Sequence, residues 1–224
     1  MHPPTIVFDL DGTLIDTAPD LVDTLNIVLK REGFAPVAFD GARNMIGGGA
    51  KVMIANALAA QRRSMAPERL DQLFAAFIEH YAAHIADRSR PFPGLEAALD
   101  RLAGENSRFA VCTNKLEWLS VRLLQTLGIA GRFAAICGQD TFKVKKPDPE
   151  VLRRTIAAAG GRLERSVMIG DSATDIRTAR AAGVPVIAVD FGYSDRPVAD
   201  YSPDRIIGHF DALPAAVAEL LDTN

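Results

Sequence analysis

Short apolar runs rich in β-branched residues recur along the chain, each separated from the next by a segment of helical period: TIVFD (5–9), RFAVCT (108–113), AAIC (134–137), SVMIG (166–170), VPVIAV (184–189) and RII (205–207). A strand that is apolar on both faces leaves no side for water, so such runs between helices require a parallel sheet covered on both sides. The expected fold is α/β, a doubly wound, Rossmann-like parallel sheet. Residues 16–90 break this rhythm and hold no convincing strand. Leu21, Val22, Leu25, Val28 and Leu29 follow the spacing of an amphipathic helix, with Thr17 and Asp20 resembling a capping box and Gly33 a stop. Leu70, Leu73, Phe74, Phe77 and Tyr81 repeat the pattern after Pro67 and read as a packing face. The expectation is a core of residues 1–15 and 91–224, interrupted after its first strand by an all-helical insert of residues 16–90. RPFPG (90–94) marks the return. A length of 224 residues suits one domain with a sizeable insertion.

Composition narrows the partners. A net charge of −3 offers no general attraction to polyanions, and no basic stripe stands out, so nucleic acid is not an expected partner. No stretch approaches the roughly 18 apolar residues of a membrane span, and the N-terminus lacks the pattern of a signal peptide. Cys112 and Cys137 lie in apolar runs, where buried reduced thiols are the default. Together these features suggest a cytoplasmic protein acting on small molecules, as a monomer or homodimer.

In open parallel sheets ligands sit outside the carboxyl ends of the strands, so residues placed there form a natural set. The first strand delivers Asp9 and Asp11, followed by Gly12 and Thr13. The second run ends in Thr113 and Asn114. KVKKPDP offers Lys143, Lys145 and Lys146, and GDSATD supplies Asp171, Ser172 and Asp175. Two aspartates two residues apart place like charges close together and require a cationic partner.

This constellation resembles the haloacid dehalogenase superfamily of phosphohydrolases, in motif order and spacing, over essentially the whole chain. DGTLIDTAPDL, MIGGGAKVM, KKPDPEVL and GYSDRP look most like its phosphoglycolate phosphatase branch. The resemblance implies a helical cap, a Mg²⁺ cofactor and a phosphorylated metabolite as substrate. Asp9 and Asp171 would ligate the metal as hard oxygen donors, with the Asp11 carbonyl as a third. Asp9 would be the nucleophile, and Asp11 the acid that protonates the leaving oxygen and then the base for water. Thr113 and Asn114 would donate to the transferring group, and Lys146, placed directly before Pro147, would balance its charge. Gly12 would let the turn pass close to the phosphate with Thr13 bracing it, and Asp175, helped by Ser172, would orient Lys146 or the metal's water. In the insert, Arg43, Gly48 and Lys51 are candidate substrate contacts, although exposed helix charges usually do nothing specific.

Weaker readings stand beside these. DLDG alone is a common turn sequence. GGGAK (47–51) is no Walker loop, because Ala50 rather than Gly precedes Lys51. His2, His80, His84 and His209 show no ligand spacing, while Trp118 and the phenylalanines read as core. A sugar phosphomutase shares the same aspartate pair. A phospho-receiver domain also combines Asp, Thr, Lys and Mg²⁺, but by resemblance carries its phosphorylated Asp on a later strand and has no such insert.

Overall fold

A computed structural model describes residues 2–222. All six expected runs pair in one parallel sheet. These strands are β1 (Thr5–Phe8), β4 (Arg108–Cys112), β5 (Ala135–Cys137), β6 (Ser166–Gly170), β7 (Val186–Val189) and β8 (Arg205–Ile207), in the order β5-β4-β1-β6-β7-β8. The chain moves outward from β1 through β4 to β5, then returns to the other flank of β1 and runs outward through β6, β7 and β8. That reversal leaves a crevice at the carboxyl ends of β1, β4 and β6, where ligands of such sheets bind.

Alternation along each strand feeds two separate cores. Ile6, Phe8, Val111, Ile169 and Ile187 point to one face, under α5 (Leu95–Gly104), α6 (Glu117–Thr126) and α9 (Leu213–Asp222). Val7, Ala110, Met168 and Ala188 point to the other, under α7 (Pro149–Ala158) and α8 (Ala173–Ala182). Phe8 anchors the first face, edge-on to both Phe109 and Phe133. Cys112 and Cys137 are buried, free thiols on adjacent strands.

Between β1 and β4 lie α1 (Ala18–Arg31), α2 (Phe39–Arg43), α3 (Ala50–Ala60) and α4 (Pro67–Ala83). The chain enters and leaves this insert through a two-stranded antiparallel ribbon, β2 (Ile15–Asp16) against β3 (Arg90–Pro91), which hydropathy alone did not reveal because each strand is two residues long. Buried Leu25, Ile54, Phe77 and Tyr81 continue into the first sheet core, so the insert is packed onto it. Helix α1 ends as its sequence suggests: Gly33 takes a φ of +77°, and the Phe34 N–H closes back onto the Leu29 carbonyl.

The expected capping box at Thr17 and Asp20 does not form. Both side chains are engaged elsewhere: Thr17 donates to Asp11, while Asp20 accepts from the Arg88 and Ser89 backbone N–H groups and the Ser89 hydroxyl. Trp118 departs from its core assignment too, being 46% exposed on α6.

Candidate active site

Three buried carboxylates converge at the crevice. Asp9 leaves β1, Asp171 leaves β6, and Asp175 sits on the first turn of α8; oxygens of all three lie within 4.8 Å of one another. Lys146, from the loop between β5 and α7, reaches in with its Nζ 2.8 Å from Asp9 Oδ1 and 2.6 Å from Asp175 Oδ1. Asp9 Oδ1 also accepts from the Leu10 N–H at 2.7 Å, whereas no hydrogen bond is formed by its Oδ2 among the described residues. Asp175 is held on its other oxygen by the Ser172 N–H and hydroxyl.

One ammonium does not balance this charge. Burial pushes the Asp9 carboxyl up to about 6 against the pull of Lys146, with Asp175 adding repulsion. Burial, then Asp175 and Asp9, push Asp171 up to about 8. Burial alone would lower the Lys146 ammonium, but Asp175 and Asp9 outweigh it and hold it raised. An all-oxygen donor set with surplus negative charge in a dry site fits a hard divalent cation.

Asp171 is positioned from two further segments. Thr13 Oγ1 donates to its Oδ1 at 3.2 Å, and the Tyr193 N–H donates to its Oδ2 at 2.6 Å. Gly12 is required here, with a φ of +86°; a Cβ at that position would stand 2.4 Å from Asp171 Oδ2 and 2.7 Å from the Tyr193 ring. Tyr193 also donates its hydroxyl to Asp16 and accepts from the Ala18 N–H, tying the loop after β7 to the start of the insert.

Asp11 turns to a different set. Lys115 Nζ lies 2.9 and 3.2 Å from its two carboxylate oxygens, and the Thr17 hydroxyl donates to it at 2.7 Å. The ammonium rests over the ring of Tyr81, 4.4 Å from its centre. Lys115 is buried, and Asp11 and Tyr81 hold its ammonium raised although burial alone would lower it. Asp9, Asp11, Thr113, Asn114 and Lys115 share a cavity of about 40 Å³ with Met53, Phe77 and Tyr81 from the insert.

The structure thus brings Asp9, Asp171, Asp175, Ser172, Lys146, Gly12 and Thr13 together, and selects Lys146 over the exposed Lys143 and Lys145. The carboxylate beside Asp9 and Asp171 is that of Asp175, while the carboxylate of Asp11, whose backbone carbonyl is the expected ligand, is engaged by Lys115 and Thr17. Thr13 and Gly12 hold and admit Asp171. Thr113 accepts from the Lys115 N–H. Asn114 is not a free donor, because its amide nitrogen is committed to the carbonyls of Gly47 and Lys146.

In the insert the three weaker candidates lie as follows. Arg43 donates to the carbonyls of Phe191 and Gly192 at 2.8 and 2.9 Å, and Lys51 pairs with Asp71 on the surface. Gly48 lies outside the cavity lining, which its neighbours Gly47 and Gly49 enter. Lys115 and Tyr81 are what sequence reading missed. Only the position of Lys115 directly after Asn114, at a strand's carboxyl end, could have marked it.

A crevice at the reversal of a doubly wound sheet, filled with aspartates and two lysines and roofed by a helical insert, marks the class. This chain belongs to the haloacid dehalogenase-like hydrolases, whose family model matches residues 6–189. Within that family it is similar to the phosphoglycolate phosphatase of Mesorhizobium japonicum, 51% identical over 99% of this chain and 97% of the relative. It is also similar to that of Agrobacterium fabrum, 46% identical over 97% and 94%. Among solved structures, a predicted phosphoglycolate phosphatase from Haemophilus somnus superposes with a TM-score of 0.89 at 26% identity, covering 96% of this chain and 97% of that one.

Proposed function

We propose that the chain is a Mg²⁺-dependent phosphatase that hydrolyses a small phosphate monoester, with 2-phosphoglycolate as its substrate, through an aspartyl-phosphate on Asp9. The observation that carries this reading is the asymmetry of Asp9. One oxygen is fixed by Lys146 and a backbone N–H, while the other carries no hydrogen bond from any described residue and stands among carboxylates that need a cation. The names of the close relatives support the substrate.

Asp9 and Asp171 would hold the metal, with Asp175 beside them, and the bound ion supplies positive charge against the phosphate oxygens. Asp9 Oδ2 attacks phosphorus in line; the bond to the ester oxygen breaks as Asp11 gives that oxygen a proton. Water then attacks the phosphorus, Asp11 takes its proton, and the bond to Asp9 breaks, releasing phosphate. Throughout, Lys146 stays charged and close, lowering the repulsion between Asp9 and an incoming dianion. Residues 16–90 act as a cap that closes over the crevice on the β2–β3 ribbon and excludes bulk water.

The test is phosphate release from 2-phosphoglycolate with and without Mg²⁺, combined with acid quenching to trap the phosphoenzyme. Metal-dependent multiple turnover and an acid-stable, hydroxylamine-labile label are expected. Turnover without any label would remove the covalent step, and no turnover would remove the reading.

A further inference from the structure

We infer that Lys115 and the Tyr81 hydroxyl form a carboxylate-reading subsite beside Asp11, selecting esters whose acid group sits one methylene from the ester oxygen. This rests on the phosphatase reading and adds to it the residues that choose the substrate. Four observations converge. First, Lys115 is the one cation lining the cavity among the described residues. The basic residues that sequence alone suggested for a substrate carboxylate lie outside this lining, Arg43 on two carbonyls and Lys51 on Asp71, whereas Lys115, although paired with Asp11, faces the cavity.

Second, the Lys115 ammonium is 2.9 Å from the group that protonates the leaving oxygen. An anion bound to Lys115 must therefore lie next to the ester oxygen. A carboxylate joined to that oxygen through a single CH₂ meets this condition, whereas the remote anion of a longer substrate does not. Third, the cavity is small, about 40 Å³, and the wall that Leu21, Met53, Phe77 and Ile78 give it offers no polar partner to the hydroxyl groups of a sugar.

Fourth, the Tyr81 hydroxyl is buried and its O–H proton meets no acceptor among the described residues, while its ring lies against the Lys115 ammonium, which can only donate. A buried O–H left unpaired is costly, and a carboxylate is an acceptor for it. Leu21, Met53 and Phe77 complete an apolar wall that keeps the ion pair dry. Because Tyr81 comes from the insert and Lys115 from the core, the subsite is complete only when the two are packed together.

The experiment compares kcat/KM for 2-phosphoglycolate with that for ethyl phosphate, the same ester without the acid. The wild type should favour the acid strongly. Lys115→Met should lower turnover of both esters but collapse the preference by about 100-fold, the scale on which a polar site discriminates a missing partner group. Tyr81→Phe, which keeps the ring beneath the ammonium, should reduce the preference by about 10-fold through KM, a loss of one hydrogen bond to a charged group. If Lys115→Met does not fold, by circular dichroism, Tyr81→Phe decides alone. A wild type that hydrolyses both esters with equal efficiency, or variants that depress both by the same factor, would overturn the subsite and leave the phosphatase intact. A wild type that hydrolyses neither would instead overturn the reading on which it rests.

Discussion

The two buried lysines of this molecule are built differently. Lys146 is 1% exposed and meets Asp9 and Asp175, both from segments at the carboxyl edge of the sheet. Lys115 is 6% exposed and meets Asp11 on one side and the Tyr81 ring, delivered by helix α4 of the insert, on the other. The lysine at one end of the crevice is therefore held by core segments, while the lysine at the other is shared between core and insert. The division lets residues of the insert change which ester fits without moving the groups that handle phosphorus, a case of function grafted onto a common scaffold.

The sharpest test of the sheet-built end is Asp9→Asn. The amide is nearly isosteric and keeps the fold, but it is a poor nucleophile. A loss of at least about 10⁴-fold in kcat is expected, comparable with deletion of other catalytic nucleophiles. Retention of more than a trace of activity, with an unchanged circular dichroism spectrum, would move the nucleophile elsewhere. Asp9→Asn should cost far more in turnover than Lys115→Met, since the latter leaves the phosphorus-handling groups in place.

Stability should rank the lysines in the same order. Lys146→Met strips two buried carboxylates of their only ammonium and should cost about 3–5 kcal/mol in urea denaturation of the metal-free protein. Lys115→Met should cost less, because Asp11 keeps the Thr17 hydrogen bond and its side chain is 12% exposed. Equal losses would mean that the two pairs are equivalent and that the contrast drawn from their surroundings is wrong.

The same division explains what could be read from sequence. The four inner strands β1, β4, β6 and β7 were legible because each is buried on both faces, while the edge strands β5 and β8, less buried, were legible as short apolar runs at the same spacing. Asp9, Asp171, Asp175 and Lys146 were legible for a related reason: each stands at or just beyond a strand's carboxyl end or before a helix, so topology alone brings them together. Nothing of the kind marks Lys115 or Tyr81. Tyr81 obeys the helical spacing of a packing face, and its ring does pack against Phe77. Its hydroxyl matters only because a distant loop places Lys115 beside it. Arg43 is only a weak substrate candidate in the sequence, and its actual partners are invisible there because those carbonyls lie in the loop after β7, 148 and 149 residues away. Thr17 and Asp20 matched a capping box locally, and tertiary partners claimed both side chains.

Proton linkage gives a prediction for the sheet-built end with a definite sign. The Asp9 and Asp171 carboxyls are raised from 3.8 to about 6 and about 8, in each case first by burial. Above their unfolded value the unfolded chain has lost protons that the native chain keeps, so metal-free stability should fall as pH rises from about 4 to about 8. Mg²⁺ binds the ionised form, so its stabilisation should grow over the same interval. At a metal concentration one hundred times its Kd the gain is about 2.7 kcal/mol. Thermal melts at pH 5.5 and pH 8, with and without Mg²⁺, read it directly. A metal-induced shift in Tm that is the same at both pH values would separate the aspartates from the ion.

The smallest expected effect tests whether the two ends communicate. Arg43, from the insert, grips the Phe191 and Gly192 carbonyls and lies over the Tyr193 ring, 5.1 Å from its centre. The Tyr193 N–H in turn holds Asp171, and its hydroxyl holds Asp16 at the foot of the insert. Arg43→Ala removes both carbonyl contacts from a half-buried position, where hydrogen bonds from a charged group are worth about 1.5–3 kcal/mol before solvent takes part of that back. About 1 kcal/mol should reach Asp171, weakening Mg²⁺ affinity by roughly 5-fold in calorimetry. Arg43→Lys should restore only part of it, since a point ammonium does not reproduce a planar fork across two carbonyls. Tyr193→Phe should leave the affinity closer to wild type, because the backbone N–H that holds Asp171 remains. If Arg43→Ala leaves Mg²⁺ affinity unchanged while lowering the melting temperature, the arginine only fastens the insert, and the carboxylate cluster is independent of what covers it.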